Sequence, residues 1–318
     1  DCTGCTGGGE AQMFHAESAD NMTFKNGSIH DSTAVNPTGG MSYISGFNLT
    51  FDNVDFYNAG AGDSLVHSEC MYVAGLDDKI DPDSQLHLYA LTIKNSTFYH
   101  CSYEDVFFGG SQYVVNLLFE NNVVERDWNQ YPSGSVRNIQ AIKFRDSSGD
   151  NLTPDIGRVT LSYNTFRGIV HFGSQNNGAN SNVYVGPLIA EGNIFLSSPT
   201  TCFSSTSAIW RYNAHVSGSC GGTGSFNDAN LMTTTNFVNV SNDPGDWHLK
   251  STAAKLIDKG NASSYPATDR DGNTRSSGSA PDIGAYEFQS TASGGPTANL
   301  WVDPNGGTCT RQASATTY

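Results

Sequence analysis

The chain has 318 residues, including 34 glycines, and its 16 Lys and Arg against 31 Asp and Glu give a formal net charge of −15. Such an acidic surface repels nucleic acid and anionic membranes, and it suits a polyuronate only where a cation bridges the charges. No apolar run approaches the ~18 residues of a membrane span, so we expect no membrane insertion.

A short phrase recurs along the first two thirds of the chain. It contains an apolar residue, a polar residue, an Asn and, three positions later, an aromatic or aliphatic residue, and it returns at intervals of 26–29 or 42–43 residues. Periods of this size are typical of solenoid proteins. The recurring residues are Asn26, Asn53, Asn95, Asn121, Asn164 and Asn193.

The residues around each Asn predict strands joined by tight turns. Val, Ile, Phe, Tyr and Thr alternate with polar residues, Asn tolerates a left-handed backbone, and helical periodicity is almost absent. We therefore predict an all-β fold, a right-handed parallel β-helix of about eight coils with an irregular C-terminal cap. The six Asn should stack as an amide ladder at one corner. For the two long intervals we predict an additional coil, at 67–73 and at 139–146.

Changes in composition divide the chain into four segments. Residues 1–222 are predicted to form the β-helix and 223–290 a closing module, because the open end of a solenoid exposes a sheet edge that recruits other chains. Residues 291–299 are polar and rich in Gly, Ser, Thr and Pro, as in a linker. Residues 300–318 form an extended arm or the start of a following unit.

Seven cysteines indicate an oxidising compartment, and with it a secreted or cell-surface location. Cys202 and Cys220 flank a Ser/Gly-rich stretch and are the expected disulfide pair. Cys70 and Cys101 either form a second disulfide or stack in the core. Cys309 is then left over, which suggests a partner in another chain.

Two phrases near the C-terminus, DPGDWHLKSTAAKLIDKGN at 243–261 and ATDRDGNTRSSGSAPDIGAYEFQ at 267–289, carry a family resemblance. They resemble the closing module of secreted bacterial right-handed β-helix proteins, and HSECMYV at 67–73 resembles the parallel β-helix repeat. The resemblance implies this fold and secretion. It implies no particular activity, because that family includes both carbohydrate-active enzymes and surface proteins of unknown role.

Three acidic residues of the closing module, Asp269, Asp271 and Glu287, could hold a cation such as calcium beside Arg275. The alternative is an Asx-turn, in which Gly272 supplies a positive φ. Neither interpretation requires a cofactor for folding.

Six polar residues on successive predicted strands form a candidate catalytic groove. Carbohydrate-active β-helix enzymes place carboxylates and a basic residue on one outward-facing sheet. Any solvent-facing strand would show the same polarity, so both interpretations remain open. The candidates are His67, Glu69, Asp105, Lys143, Arg145 and His171.

The arm at 300–318 resembles the phrase that opens the mature domain in similar secreted proteins. Leu300 and Val302 alternate with Trp301 as in a strand. Either the arm begins the next domain of a tandem array, or it adds as a strand to the exposed end of a neighbouring subunit. Strand addition would build a head-to-tail filament, with Cys309 bonded to a cysteine near the start of the next subunit.

Three functions follow from these patterns. A structural module of an extracellular assembly is favoured, because the terminal arrangement points to self-association. The alternatives are a polysaccharide lyase or glycosidase acting in a groove on the β-helix, and a carbohydrate-binding adhesive module. The expected partners are further copies of the chain and polysaccharide.

We expect the intact chain to form filaments or ladders that a chain ending at Gln289 does not form, because the strand-adding arm is then missing. Electron microscopy combined with light scattering after size exclusion checks this. Monomers in both samples would rule out assembly through the arm.

Overall fold

The strands pair in parallel with the strands of the next coil. Thr23, Thr50 and Thr92 lie side by side in neighbouring strands although they are far apart in the sequence. Parallel crossovers of this kind are right-handed. The protein is therefore an all-β right-handed parallel β-helix, as the repeating phrase predicted.

The computed structural model describes residues 13–32, 41–59, 69–73, 86–101, 104–108, 112–114, 116–125, 140–144, 158–172, 187–197, 208–218, 220–242, 244–275 and 277–289. All regular elements in these ranges are strands, and none of the described segments is a helix of the length and hydropathy needed to cross a bilayer. The strands are β1 (Phe14–Asp20), β2 (Thr23–Ser32), β3 (Ser42–Ala59), β4 (Met71–Val73), β5 (Leu86–Lys94), β6 (Thr97–Cys101), β7 (Glu104–Phe108), β8 (Gln112–Val114), β9 (Asn116–Glu120), β10 (Val123–Glu125), β11 (Gln140–Phe144), β12 (Arg158–Ser162), β13 (Thr165–Arg167), β14 (Ile169–Phe172), β15 (Leu188–Glu191), β16 (Ile194–Phe195), β17 (Ala208–Arg211), β18 (Ala214–His215), β19 (Phe226–Asn227), β20 (Phe237–Asn239) and β21 (Asp246–Leu249).

Each complete coil contributes to three faces. The first face contains β1, the start of β3, and then β4, β7, β11 and β14. The second contains the start of β2, the middle of β3, and then β5, β9, β12, β15 and β17. The third contains the ends of β2 and β3, and then β6, β10, β13, β16, β18 and β19.

The corners between faces use residues with a left-handed backbone, spaced five apart in the early coils. Asn21, Asn26 and Asp31 have φ of 52°, 56° and 61°, and the next coil repeats this with Asn48, Asn53 and Asn58. Asn and Asp tolerate this conformation better than other side chains. Three rows of corners therefore run along the early coils, where the repeating phrase predicted one.

The predicted amide ladder divides into two adjacent rows. Asn26, Asn53, Asn95 and Asn121 occupy the second corner, and the Nδ2 of Asn53 donates to Oδ1 of Asn26 at 3.0 Å. The strand register places Tyr163 and Gly192 at this corner in later coils, so Asn164 and Asn193 lie one position further on. Both are fully buried there, between Asn122 and Asn213.

The additional coils predicted for the two long intervals are wrong. Asp55 pairs directly with Thr97, and Val123 pairs directly with Thr165, so no coil separates them. Residues 71–73 and 140–144 are instead first-face strands of the same coil. A strand phrase does not show which face it occupies, because all faces share the same alternation. The number of coils stays a prediction, because part of the chain between faces lies outside the described ranges.

Large side chains fill the interior in rows that follow the coils. Phe56 stacks on Phe98 with ring centroids 4.6 Å apart, and the row continues through Phe119, Phe166 and Phe195. All five rings are at most 1% exposed. Burial of aromatic side chains of this size is the main favourable contribution to the stability of such a stack.

The closing module packs beside the β-helix. Its apolar residues, among them Leu231, Phe237 and Trp247, form a second core with Val123 and Ile194 of the third face. The β-helix and the module belong to one compact unit, Asp1–Phe288. The predicted capping of an open end stays a prediction.

Arg275 joins the module to the second corner. Its guanidinium is 0% exposed, donates to Oδ1 of Asn121 at 2.7 Å and to the carbonyl oxygens of Gly284 and Ala285, and lies 4.6 Å from the centre of the Tyr163 ring. Buried guanidinium groups need this number of acceptors to offset lost hydration. Gly192 lies beneath Tyr163 with φ of +68°, and a Cβ there would meet the ring at 2.7 Å.

Cys70 and Cys101 form a disulfide bond with Cα atoms 5.3 Å apart. The sequence left open whether these two cysteines form a disulfide or stack in the core, and the structure shows the disulfide. Cys220 is also disulfide-bonded, and its expected partner, Cys202, lies outside the described residues.

We expect Asn164→Ala to lower the free energy of unfolding by about 3 kcal/mol. The substitution removes the buried acceptor of the Asn122 N–H at 2.8 Å and the donor to Phe119 O at 2.8 Å, and an unpaired buried group costs about 1–3 kcal/mol. Chemical denaturation measures the loss. Asn53→Gly, in the exposed row, is the control and should change stability by less than about 1 kcal/mol. Equal losses of unfolding free energy in the two variants would show that the buried and exposed Asn residues do not differ in their contribution to stability.

Candidate functional site

Aromatic side chains form a row on the outside of the first face. His15 stacks on Tyr43 with ring centroids 5.0 Å apart, and Tyr43 lies 5.7 Å from Tyr72 with the rings 7° from parallel. Phe107 meets Tyr72 edge-on at 5.3 Å. His15 is exposed, the two tyrosines are half-buried and Phe107 is buried. This row presents ring edges and phenol groups along the β-helix axis.

Two predicted catalytic residues continue this row in register. Lys143 pairs with Phe107 on one side and with His171 on the other. The strand pairing therefore brings Lys143 and His171 next to each other, although 27 residues separate them in the sequence. Their side chains are not among those described, so their placement is that of the backbone.

The other two described candidates, Glu69 and Asp105, are both 0% exposed. The sequence pattern predicted both on a solvent-facing strand. Glu69 immediately precedes Cys70, whose disulfide bond to Cys101 holds this turn against the end of the third face. Glu69 has the same parity as the core residues Met71 and Val73, whereas Asp105 has the parity of Phe107 on the outside of the first face. His67 and Arg145 lie outside the described residues, as do Leu300, Trp301, Val302 and Cys309 of the arm.

A second aromatic row lies on the third face, and the sequence analysis missed it. His30, Tyr57 and Tyr99 stack with centroids 4.5 Å and 4.8 Å apart and are within 6° of parallel. Burial, with smaller contributions from the nearby Tyr57 and Asp55, raises the pKa of Tyr99 to about 12. The phrases IH, FY and FY, each three residues after a corner Asn, were the signal that could have revealed it.

Beside this row the third corner carries a hydrogen-bonded polar chain. Asp31 accepts from Asn58 Nδ2 at 2.7 Å and lies 2.8 Å from His30 Nδ1, while His100 Nδ1 lies 3.1 Å from Asn58 Oδ1. Hydrogen bonds from Asn58 and His30 lower the pKa of Asp31. The three corner residues thus satisfy one another, as the ladder residues do.

The closing module covers the later coils of the third face. Glu125, in register with Tyr99, forms an ion pair with Arg167 and accepts from Trp247 Nε1 at 2.8 Å. At the edge of the covered region, Arg270 forms an ion pair with Asp55 at 2.8 Å. The first face has no such contact with the module among the described residues, so its aromatic row is the better candidate for a long ligand.

The three carboxylates predicted to hold a cation have protein partners. Asp269 accepts from the backbone N–H groups of Asp271, Asn273 and Glu287, as in the Asx-turn alternative. Glu287 accepts from the backbone N–H of Asp282 at 2.8 Å, and burial raises its pKa to about 7. No group of three or more His, Cys, Asp or Glu in the described ranges is arranged to hold a metal ion.

Asp271 turns to the surface, where it contacts a histidine of β21. His248 lies between two carboxylates, with Nε2 2.7 Å from Asp271 and Nδ1 2.6 Å from Asp246, and its ring packs 3.9 Å from that of Tyr286. The hydrogen bond to Asp271, with a smaller contribution from Asp246, raises the pKa of His248 to about 9. Because both ring nitrogens are occupied, this histidine joins two segments of the module and is a poor general base.

Comparison with known proteins gives similarity in fold alone. No family model and no curated protein matches the sequence. One solved structure that matches is the crystal structure of pectate lyase Pel9A, with 17% sequence identity and a TM-score of 0.42 over 85% of this chain. The match covers 66% of that chain, so this protein spans just under two thirds of its length. Similarity at this level does not transfer an activity, because one fold hosts many functions.

We expect the thermal stability of the wild type to fall between pH 7 and pH 10 more than that of His248→Gln. The folded pKa of about 9 exceeds the ordinary 6.5, so the imidazolium contributes fully below pH 6.5 and its contribution is lost as the pH rises through 9. Melting curves at several pH values measure this. The control variant His30→Gln should lose as much thermal stability between pH 7 and pH 10 as the wild type does. If His248→Gln also loses as much as the wild type, His248 does not have the raised pKa assigned to it.

Proposed function

We propose that the protein is an extracellular β-helix protein that binds an extended polysaccharide along the first face. The observation that carries this proposal is the accessible row of His15, Tyr43 and Tyr72. The register continues this row through the buried Phe107 into Lys143 and His171. These residues come from six successive strands of one face.

A repeating surface suits a repeating ligand. Neighbouring strands are about 4.8 Å apart, so six strands extend the row by about 24 Å. A linear polymer lying along the axis could contact several coils at once, which adds weak contacts into a useful affinity. Tyrosine combines an apolar ring with a hydrogen-bonding hydroxyl, and this combination suits the mixed polarity of sugars.

Charge favours an uncharged polysaccharide. The chain has a net charge of −15, which repels a polyanion at long range. Lys143 supplies a positive charge only near one end of the row. A polyuronate ligand would therefore need a bridging cation such as calcium between the two acidic partners.

Secretion agrees with the disulfide bond of Cys70 and Cys101, since such bonds persist in oxidising compartments. Filament formation through 300–318 concerns residues outside the described ranges and remains a separate hypothesis. A polysaccharide-binding module could form part of such an assembly.

Cleavage of the bound polysaccharide is the second candidate, and the register of Lys143 with His171 favours it. A base next to a second proton-transfer group is what elimination or hydrolysis requires. Asp105 lies one strand away and two positions along from Lys143, a diagonal separation of about 7–8 Å between Cα atoms. Asp105 is 0% exposed, so a lyase or glycosidase reaction would use Lys143 and His171.

We expect Tyr43→Ala and Tyr72→Ala to weaken polysaccharide binding by about tenfold each, equal to about 1.4 kcal/mol, because each interrupts the row. Affinity electrophoresis against neutral and acidic polysaccharides measures this. Tyr57→Ala removes an equivalent stacked tyrosine on the third face and should bind as the wild type does. Equal weakening by Tyr57→Ala, or no binding by the wild type, would sink the proposal.

The same panel tests cleavage. New reducing ends or unsaturated products that appear with the wild type and vanish with Lys143→Ala would establish an enzyme. Tight binding without products would leave a binding module.

A further inference from the structure

An unusual histidine lies inside the last coils of the β-helix. His215 belongs to β18, is 0% exposed and stacks on Phe195 with ring centroids 4.9 Å apart. Its strand neighbour Ala214 faces the closing module, so alternation turns His215 toward the interior. It occupies the place that Phe166 and Phe195 fill in the two preceding coils.

Neither ring nitrogen of His215 has a hydrogen-bond partner among the described residues. The indole Nε1 of Trp210, in the adjacent strand β17, is also buried without a partner, and its ring packs on the same Phe195. Most buried polar groups in proteins are hydrogen-bonded, and the exceptions call for an explanation. Two unpaired polar groups in one coil lower the stability of the closed form of this coil.

Among the residues that the structure describes, no acidic side chain is placed to compensate a charge on His215. Burial alone lowers its pKa to about 4. In the neighbouring strands, Glu191 pairs with Arg211 and accepts from Asn261. After β19, Asp228 pairs with Lys255. Protonation of His215 would therefore leave a buried cation without an anion, which is strongly unfavourable in an apolar interior.

The strands around His215 are short, and the closing module packs against the outward side of β18. Both β18 and β19 contain two residues, and among the described strands β17 pairs only with β15. Terminal units of a solenoid contact a neighbour on one side, so they open at lower free energy than internal coils.

We propose that His215 makes the last coil acid-sensitive, so that its protonation opens residues 208–227 while the earlier coils stay closed. A histidine whose charged form is disfavoured by folding supports the native state above its ordinary pKa of about 6.5. This support is lost as the pH falls from there toward 4. Opening uncovers the edges of β15 and β16, which can then pair with a strand from another chain.

Protonation of the buried acids of the closing module has the opposite effect on stability. Burial raises the pKa of Asp282 to about 6 and that of Glu287 to about 7. Since folding favours their protonated forms, a falling pH makes these groups support the module. Acid-induced opening limited to 208–227 is therefore distinguishable from a general loss of structure.

Hydrogen exchange measured by mass spectrometry at pH 7 and pH 4 tests the proposal, with protection factors corrected for intrinsic rates. We expect protection in peptides from 208–227 to fall at least tenfold more than in peptides from 42–59 in the wild type. His215→Phe, which keeps the ring stack, should reduce that difference to less than threefold. The control is His30→Phe, a histidine stacked on an aromatic ring of the third face, which should respond as the wild type does.

The proposal fails if wild-type protection in 208–227 is unchanged at pH 4, or if His215→Phe responds like the wild type. Should His215→Phe not fold, His215→Leu provides the same test with a smaller side chain. A fall that extends equally over 42–59 would also overturn it, because the response would then be global.

Discussion

The buried guanidinium of Arg275 is the interaction on which the arrangement of the closing module depends. It contacts Asn121 and the Tyr163 ring on the β-helix and the carbonyl oxygens of Gly284 and Ala285 on the module. Burial lowers the pKa of Arg275, and Glu287 and Asp269 oppose this effect. Since a lone buried charge costs several kcal/mol, the acidic residues and the arginine are held together as a set. This set positions the module against the β-helix and thereby decides which face remains open.

Corner residues determine where that set can form. The second corner carries the row of Asn26, Asn53, Asn95 and Asn121. The side-chain oxygen of Asn121 accepts a hydrogen bond from Arg275. Beyond Asn121 the corner changes to Tyr163, whose ring covers Gly192 and contacts the module. The ladder thus ends where the module begins. On the third face, the aromatic row of the early coils lies outside the module, whereas the module covers the later coils.

This division has a functional consequence. The third face presents His30, Tyr57 and Tyr99 in its early coils, but the next position in register, Glu125, is buried under Trp247. An axial ligand on the third face would meet the module after three coils. The first face has six positions in register, from His15 to His171, and this length is why the proposed polysaccharide site lies there.

Sequence alone determined the class of fold, because its signals are local. Asn at a corner and alternating apolar residues in the flanking strands act within five or six residues, and the repeat makes them visible. The strand phrases containing Lys143 and His171 were also identified, because basic residues in a strand are local features. The division of the ladder at Asn164 was missed, since a shift of one position is invisible without the register.

Only the tertiary structure decided which side chains are buried and which residues they contact. Glu69 and Asp105 look like surface carboxylates in the sequence, but both are 0% exposed in the folded chain. His215 looks like any strand histidine, and its unpaired ring nitrogens follow from the stack above and below it. The reason is the same for each of these residues. Strand alternation gives the direction of a side chain, whereas its surroundings depend on residues more than twenty positions away, whose approach is set by the winding of the whole chain.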